Sequence, residues 1–173
     1  MTITSKIKKR KNAQGLNKLK KYLREISGAK VEVGFLGNET YDHPRNTEGW
    51  SYAEMMGFHE LAVDFTDRRK IFKQTSISHK KDIANFAKDI LIKDLKTSLI
   101  RPIRKPDKAL DDIGFHIKSK IENTFGKVTP LVPPNKYATI KKKGHGKPMV
   151  EDGTLMKGLG VRNTISKSIK KTR

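Results

Sequence analysis

Apolar residues recur at helical spacing near the start of the chain. The segment "LNKLKKYLREI" carries a stripe that consists of Leu16, Leu19, Leu23 and Ile26. Apolar side chains three and four residues apart lie on one side of an α-helix, and glycine commonly ends a helix. Because Ser27 and Gly28 follow the stripe, the pattern predicts a basic amphipathic helix that ends there.

A second helix start is marked at Ser51. Ser51 and Glu54 have the spacing of a capping box, in which each side chain binds the backbone N–H of the other residue. The apolar side of the segment that follows consists of Tyr52, Met55, Met56 and Phe58. The sequence therefore predicts a short helix that begins at Ser51.

Two longer helices are predicted after residue 70. "DRRKIFKQT" has the character of an irregular or extended passage, after which apolar residues keep helical spacing to about Leu99. The prolines of "RPIRKPDK" interrupt that pattern. The next helix spans "DKALDDIGFHIKSKIENTF", and its stripe consists of Leu110, Ile113, Ile117, Ile121 and Phe125. Gly114 indicates that another element approaches this helix closely, because glycine otherwise destabilises a helix.

Short strands are predicted near both ends of the chain. "KVEVGFLG" alternates polar and apolar residues, with Val31, Val33 and Phe35 on one side, and "GLGVRNTI" is a candidate last strand. Helices combined with few strands predict an α+β fold with a small antiparallel or mixed sheet. A length of 173 residues suits one domain.

The net charge of +20 is concentrated in two segments. Residues 1–24 hold nine Lys and Arg and no acid, whereas 136–173 hold eleven against Glu151 and Asp152. The body at 25–135 therefore carries only +2. Cationic ends attract polyanions in a salt-dependent way, and the alternative interpretation is that they are solvated and aid solubility.

Three parts follow from this distribution: a basic arm at 1–12, an α+β domain at 13–163 and a basic tail at 164–173. We expect both ends to be disordered in the free protein and to order on assembly, because charged segments with few apolar residues bury too little surface to fold alone. The chain has no cysteine and no apolar run near 18 residues, which predicts neither disulfides nor a membrane span.

No catalytic, cofactor or metal site is predicted, and we expect the protein not to be an enzyme. His59-Glu60 begins a zinc-protease pattern, but Val63 stands where the second histidine is needed. Asp111 and Asp112 are adjacent in the chain, and adjacent helical residues do not face the same substrate. Asp111 is instead near a helix start, where an acid complements the helix dipole.

The basic stretch "KYATIKKKGHGKPMVEDGTL" allows several interpretations. Pro148 follows Lys147 and disfavours a helix there, which argues against a phosphate-binding P-loop. Glycines on both sides of His145 give a turn flanked by lysines, and this turn is either a solvated loop or a polyanion contact. The candidate polyanion or partner contacts are Lys6, Lys8, Lys9, Arg10, Lys11, Lys141, Lys142, Lys143 and Lys147.

The second half of the chain resembles the tail-component and tail-completion family of long-tailed bacteriophages. That family has a helix with a central Ile-Gly, a proline-containing extended segment, a Thr before a basic Lys-Gly stretch, and then Pro-Leu-x-Asp-Thr-Gly-x-Leu. The corresponding positions here are Ile113-Gly114, Pro133-Pro134, Thr139, Lys143-Gly144 and 148–155. The first half matches more loosely, since Leu61-Ala62 stand in place of Phe-Gly and "DRRKIFKQT" lacks the family's two prolines.

The resemblance implies a fold detail and a function. It implies a protruding β-hairpin arm at about 136–155, whose turns involve Gly144, Gly146, Asp152 and Gly153. It also implies a virion protein of the neck or upper tail that completes the tail for head–tail joining. Six copies would form a ring that contacts neighbouring neck and tail proteins and packaged DNA. A free, sequence-nonspecific nucleic-acid-binding protein is the alternative that the net charge favours.

Overall fold

The computed structural model describes residues 3–37, 39–42, 44, 46–61, 69–98, 105–150 and 153–165, with side chains from Gly15 onward except those of 58–61 and 98. Six helices and two strands occur in these ranges. In chain order they are α1 (Ile3–Ser27), β1 (Lys30–Gly34), α2 (Tyr52–Leu61), α3 (Ile71–Ser98), α4 (Pro106–Thr124), α5 (Tyr137–Lys143), α6 (Thr154–Lys157) and β2 (Gly160–Thr164).

The first and last strands pair with each other. β1 and β2 form an antiparallel two-stranded sheet in which Lys30 lies opposite Thr164 and Gly34 opposite Gly160. Helix α4 packs against this sheet at Gly114, where a Cβ atom would lie only 2.2 Å from Val161 Cγ1. Gly114 therefore permits a close approach between helix and sheet; the sequence indicated a close approach at this helix, and the structure gives the sheet as the element involved.

Helices α3 and α4 pack side by side and run in opposite directions. Near one end, the buried Thr75 hydroxyl donates a hydrogen bond to Thr124 Oγ1 at 2.8 Å. Further along, Asp82 accepts from Lys120 Nζ at 2.9 Å and lies 3.0 Å from His116 Nε2. Increasing residue number along α3 thus corresponds to decreasing number along α4, which fixes the antiparallel direction.

The hydrophobic core lies where α2, the start of α3 and the end of α4 meet the C-terminal segment. Its buried side chains are Tyr52, Met56, Ile71, Ile121, Phe125, Val132, Met149, Leu155 and Leu159. Five of these residues belong to the chain after α4, so that segment completes the core. Without it, the apolar faces of α2 and α4 would be exposed to water.

The predicted α+β class is confirmed, together with the N-terminal helix, the two longer helices and a small antiparallel sheet. The capping box at Ser51 is also present, because Glu54 Oε2 accepts from Ser51 N at 2.8 Å and Ser51 Oγ from Glu54 N at 3.2 Å. One boundary was wrong: "IFKQT" is the first part of α3. Ile71 is fully buried there, and tertiary packing overrides the weak helical preference of its β-branched side chain.

The segment predicted as a β-hairpin arm contains helices instead of strands. Residues Tyr137–Lys143 form helix α5, and Thr154–Lys157 form the short helix α6, so the segment does not reverse between two strands. Pro148 and Met149 are buried, so this part of the segment does not protrude. The turn at Gly144 is real, but it ends a helix: Gly144 has φ 77° and its N–H binds Ile140 O at 2.8 Å.

The basic arm predicted at 1–12 is not separate from the first helix. The described backbone from Ile3 onward is part of α1, which therefore begins earlier than the apolar stripe indicated. Helix α1 is joined to α3 through Tyr22, whose hydroxyl donates to the buried Asp94 Oδ2 at 2.8 Å. The tail predicted at 164–173 lies outside the described residues beyond Ile165.

Candidate functional site

An apolar groove opens between the end of β1, helix α2 and the start of α3. We call this the apolar groove, and its volume is about 370 Å³. Its lining residues are Val33, Gly34, Phe35, Leu36, Ala53, Met56, Gly57 and Phe72. Every lining residue is apolar, and none supplies a catalytic acid, base or nucleophile. The groove suits an apolar side chain of a partner rather than a polar substrate.

Aromatic packing gives the apolar groove a fixed wall. Phe35 stacks on Tyr52 with ring centroids 6.1 Å apart and meets Phe72 edge to face at 6.0 Å. Tyr52 in turn lies against Gly158, where a Cβ atom would be 2.4 Å from the Tyr52 ring. Because Gly158 has no side chain, the Tyr52 ring can occupy this position and support Phe35.

One side of the apolar groove is continued by the loop at 39–51, of which residues 43 and 45 are not described. Asn46 holds this loop closed: its side-chain NH₂ donates to Tyr41 O and Trp50 O, and its Oδ1 accepts from Trp50 N, each at 2.8 Å. Tyr52 N also donates to Glu39 O at 3.1 Å. The 39–51 loop is therefore joined to the first turn of α2, next to the groove.

The 39–51 loop and the start of α2 carry an excess of acidic residues. Residues 37–57 contain four acids and one cation, Arg45. The four acids are Glu39, Asp42, Glu48 and Glu54, and all are exposed. Hydrogen bonds from the Ser51 backbone and hydroxyl lower the pKa of Glu54, so it is ionised at neutral pH. Lys70 directly precedes α3, and the exposed Lys73 lies in its first turn, close in the chain to Phe72. The acidic excess therefore belongs to the 39–51 loop and the start of α2.

Helix α1 presents a partly uncovered apolar stripe. Tyr22 is only 3% exposed, whereas Leu16 and Leu23 are 51% and 47% exposed. Lys20 comes four residues after Leu16 and three before Leu23, so it lies on the same side of the helix. Lys20 and Arg24 are exposed. This side of α1 combines apolar and cationic groups, and the described part of the chain covers only about half of each of these two leucines.

The predicted lysine cluster lies at the end of α5. Lys141, Lys142 and Lys147 are exposed, whereas Lys143 is half-buried and its Nζ lies 3.5 Å from Val150 O. Cations in the last turn of a helix are stabilised by the partial negative charge of its carbonyl groups. The structure thus brings together four of the predicted cations, of which three are accessible to a polyanion.

The lysine cluster is attached to the body by buried contacts. The side chain of buried Asn135 accepts from Arg69 at 3.1 Å and donates to Lys147 O at 3.0 Å. Pro148 O accepts from Gly126 N at 3.0 Å, and the Pro148 ring is fully buried. These contacts fix the chain on both sides of α5, at Asn135 and at Lys147-Pro148. The lysines between and at these points are therefore held at a defined place on the body.

The remaining predicted site residues are only partly covered by the described structure. The side chains of Lys6, Lys8, Lys9, Arg10 and Lys11 lie outside those described, although their backbone belongs to α1. Gly153 has φ 82°, as a turn glycine requires, whereas Asp152 is outside the described residues. Gly146 is exposed in the bend that follows Gly144.

Two further polar contacts involve acidic side chains of α3 and α4. Hydrogen bonds from Lys120 and then His116 lower the pKa of Asp82. Asp111 accepts a hydrogen bond from Asn163 Nδ2, so it links α4 to β2. In the described part of the chain, no group of three His, Cys, Asp or Glu side chains is arranged to hold a metal ion. Nor does any helix described there have the length and apolar character to cross a membrane.

Comparison with known proteins gives no relative: no protein-family model, no curated protein and no solved structure matches the chain. The apolar groove was not predicted from the sequence, because its lining comes from three separate segments. The only advance signal was the apolar "GFLG" that extends past the alternating part of β1.

Proposed function

We propose that this chain is a structural protein of the neck or upper tail of a long-tailed bacteriophage. It completes the tail by binding further copies of itself and neighbouring virion proteins, and so permits head–tail joining. The proposal is carried by the sequence resemblance over 113–155, since several residues of that pattern have a defined structural role in this fold.

Three positions show why the resemblance bears on the fold. Gly114 permits the contact between α4 and the sheet, and Gly153 has a positive φ that most residues avoid. Pro148 is fully buried and its carbonyl closes the turn at Gly126. Residues with such demands are expected to persist in a family whose surface residues diverge. These structural roles support the proposal at three matched positions, whereas helices α5 and α6 stand where the resemblance implies a β-hairpin arm. The function follows by analogy.

Charge and surface character support a role in binding. The body carries +2 of the total charge of +20, so copies can pack together through it without strong mutual repulsion. Large apolar side chains are exposed at separate places, including Ile77, Phe115 and Tyr137, which is 81% exposed. Exposed apolar groups favour protein contacts, whereas the described part of the chain has no convergent polar site for catalysis.

The alternative function is that of a free, nonspecific nucleic-acid-binding protein, and the accessible lysines in and just after α5 favour it. Phosphate binding by Lys141, Lys142 and Lys147 would release counterions, so affinity would fall steeply with salt. The two functions differ in what holds the active form together. A neck ring is held by protein contacts and persists at salt concentrations that dissociate a nonspecific DNA complex.

A conditional stop codon in the gene for this chain tests the proposal directly. Particles made without the protein would be examined by electron microscopy beside particles made with the gene supplied in trans. Separate DNA-filled heads and tails would support a joining role, and tails of abnormal length would support a role in tail termination. Normal infectious virions would refute the proposed function and leave salt-dependent DNA binding as the property to measure.

A further inference from the structure

We infer that the apolar groove of one copy binds helix α1 of the next copy, through Leu16 and Leu23. The contact is head to tail, because it joins two different surfaces of the same chain. This inference deepens the proposed function, on which it rests for the closure of such contacts into a ring. It assigns an occupant to the groove and a partner to the uncovered side of α1.

A chain cannot place this part of α1 in its own groove. Tyr22 binds Asp94 near the end of α3, whereas Phe72 of the groove lies in the first turn of the same helix. A separation of 22 helical residues corresponds to roughly 33 Å. Leu16 is only six residues from Tyr22, which is about 9 Å along α1. The stripe and the groove therefore lie at opposite ends of α3 and meet only between copies.

The two surfaces are complementary in apolar character. Leu16 and Leu23 are about half exposed and lie two turns apart on one side of α1. The apolar groove opens to the surface and is lined by apolar side chains. An amphipathic helix that lays its apolar side chains into such a groove is a recurring mode of protein recognition. Burial of the two leucines would remove the uncovered part of the stripe from water.

Charge also favours this pair of surfaces. Residues 3–27 carry nine Lys and Arg against one acid, Glu25, and Lys20 lies between the two leucines. The 39–51 loop, which is joined to the first turn of α2 by the Tyr52 N–H to Glu39 O hydrogen bond, carries Glu39, Asp42 and Glu48, all exposed. A cationic helix that docks in the groove beside this acidic loop gains electrostatic attraction and a preferred orientation. By contrast, the lysines of α5 would repel α1, so they are not its binding surface.

The geometry has a consequence for assembly. Each copy offers one α1 and one groove, and these surfaces differ, so a contact between two copies leaves one of each unused. Such heterologous contacts form a closed ring when the repeated rotation from one copy to the next brings the last copy back to the first. Otherwise they form a filament. A symmetric dimer would use the same surface twice and would leave neither available.

Two variants of the full chain separate the surfaces. Leu16→Ser with Leu23→Ser removes the apolar side chains of α1, and both positions are half exposed, so the body retains its core. Ala53→Arg places a large cation at the groove, at a residue that is exposed in α2. Light scattering coupled to size-exclusion chromatography would measure the mass of each protein. We expect the oligomer to be lost in both variants, with association weakened about tenfold or more.

Mixing the two variants gives the decisive result. The α1 variant keeps an intact groove and the groove variant keeps an intact α1, so an equimolar mixture should form a 1:1 dimer and nothing larger. A mixture that stays monomeric would overturn the inference, as would oligomers of unchanged mass in either single variant. Circular dichroism would verify that each variant keeps its helical content.

Charge reversal supplies a matched control. Lys20→Glu with Arg24→Glu alters the docking side of α1, whereas Lys18→Glu with Lys21→Glu makes the same change in net charge at positions roughly 100–160° around the helix from Lys20. Only the first pair should dissociate the oligomer. Equal effects of both pairs would show nonspecific attraction and overturn the inference. The electron microscopy of particles is independent of these results, so the virion role can fail while the contact stands, or the reverse.

Discussion

The contact at Gly114 gives the sharpest prediction about stability. Replacing Gly114 by alanine would put a Cβ atom 2.2 Å from Val161 Cγ1 and 3.1 Å from Val31 Cγ1. Ordinary contacts between carbon atoms are about 3.5–4.0 Å. Valine side chains are stiff at χ1, so the clash must be relieved by moving α4 away from the sheet.

Two opposing effects decide how much Gly114→Ala changes the free energy of unfolding. Alanine in a helix is favoured over glycine by about 1 kcal/mol. Overpacking costs about 1–3 kcal/mol, and a 2.2 Å contact against a stiff side chain belongs at the upper end of that range. We therefore expect Gly114→Ala to lower the free energy of unfolding by about 2 kcal/mol. For a domain of this size, that is a fall in Tm of about 4–8 °C.

Chemical denaturation of two further variants tests the reasoning. A Cβ atom on Gly57 meets no described atom within 4 Å, so Gly57→Ala should raise stability by up to about 1 kcal/mol. Val161→Ala alone removes two methyl groups and should cost about 1.5 kcal/mol. The double variant with Gly114→Ala and Val161→Ala should lose about 1 kcal/mol of unfolding free energy in total, well below the sum of the two single losses. If Gly114→Ala stabilised the protein as much as Gly57→Ala does, the close approach would be refuted.

Three other substitutions test separate contacts. Tyr22→Phe removes the hydrogen bond to buried Asp94, so we expect a loss of about 1–3 kcal/mol in urea denaturation; no loss would mean that α1 is not fixed there. Ser51→Ala removes the N-cap of α2 and should cost about 1 kcal/mol, whereas Ser51→Asp should cost far less. The pKa of Asp82 is lowered, chiefly by its hydrogen bond with Lys120, so the folded state favours the ionised form. Its stabilisation is present above its ordinary value of 3.8 and is lost as the pH falls through the lower folded pKa. The Tm difference between the protein and Asp82→Asn should therefore be larger at pH 7 than at pH 3, and a difference independent of pH would contradict this.

Local patterns predicted much of the fold. The stripe of α4, the capping box at Ser51 and the alternation in β1 each depend on residues close together in sequence, and each was confirmed. The close approach at Gly114 could be predicted because a glycine within an otherwise regular helical stripe usually makes room for a neighbouring element. All these features depend on residues close together in the chain. Over such short distances, hydrophobic periodicity and hydrogen-bonding side chains determine the backbone conformation.

Features that depend on distant segments were harder to predict. The start of α3 and the helical form of α5 were missed, because Ile71 is buried by tertiary packing and the lysines of α5 resemble a loop in composition. The apolar groove joins residues 33–36 to α2 and Phe72, and periodicity does not show which segments meet. Charge could be located along the chain, but the sequence did not show that the acidic 39–51 loop is joined to the first turn of α2, whose Ala53 lines the groove.

The pairing of β1 with β2 has a consequence for how the protein is made. Residues 30–34 can pair only after the ribosome has produced residues 160–164, which follow all six described helices. Contacts between segments so far apart form slowly, because a long loop must close first. A prematurely terminated product would lack β2 and leave Val31 and α4 uncovered. Only a chain extended through residue 164 can complete the sheet, so copies that stop earlier would unfold and be degraded before they enter an assembly.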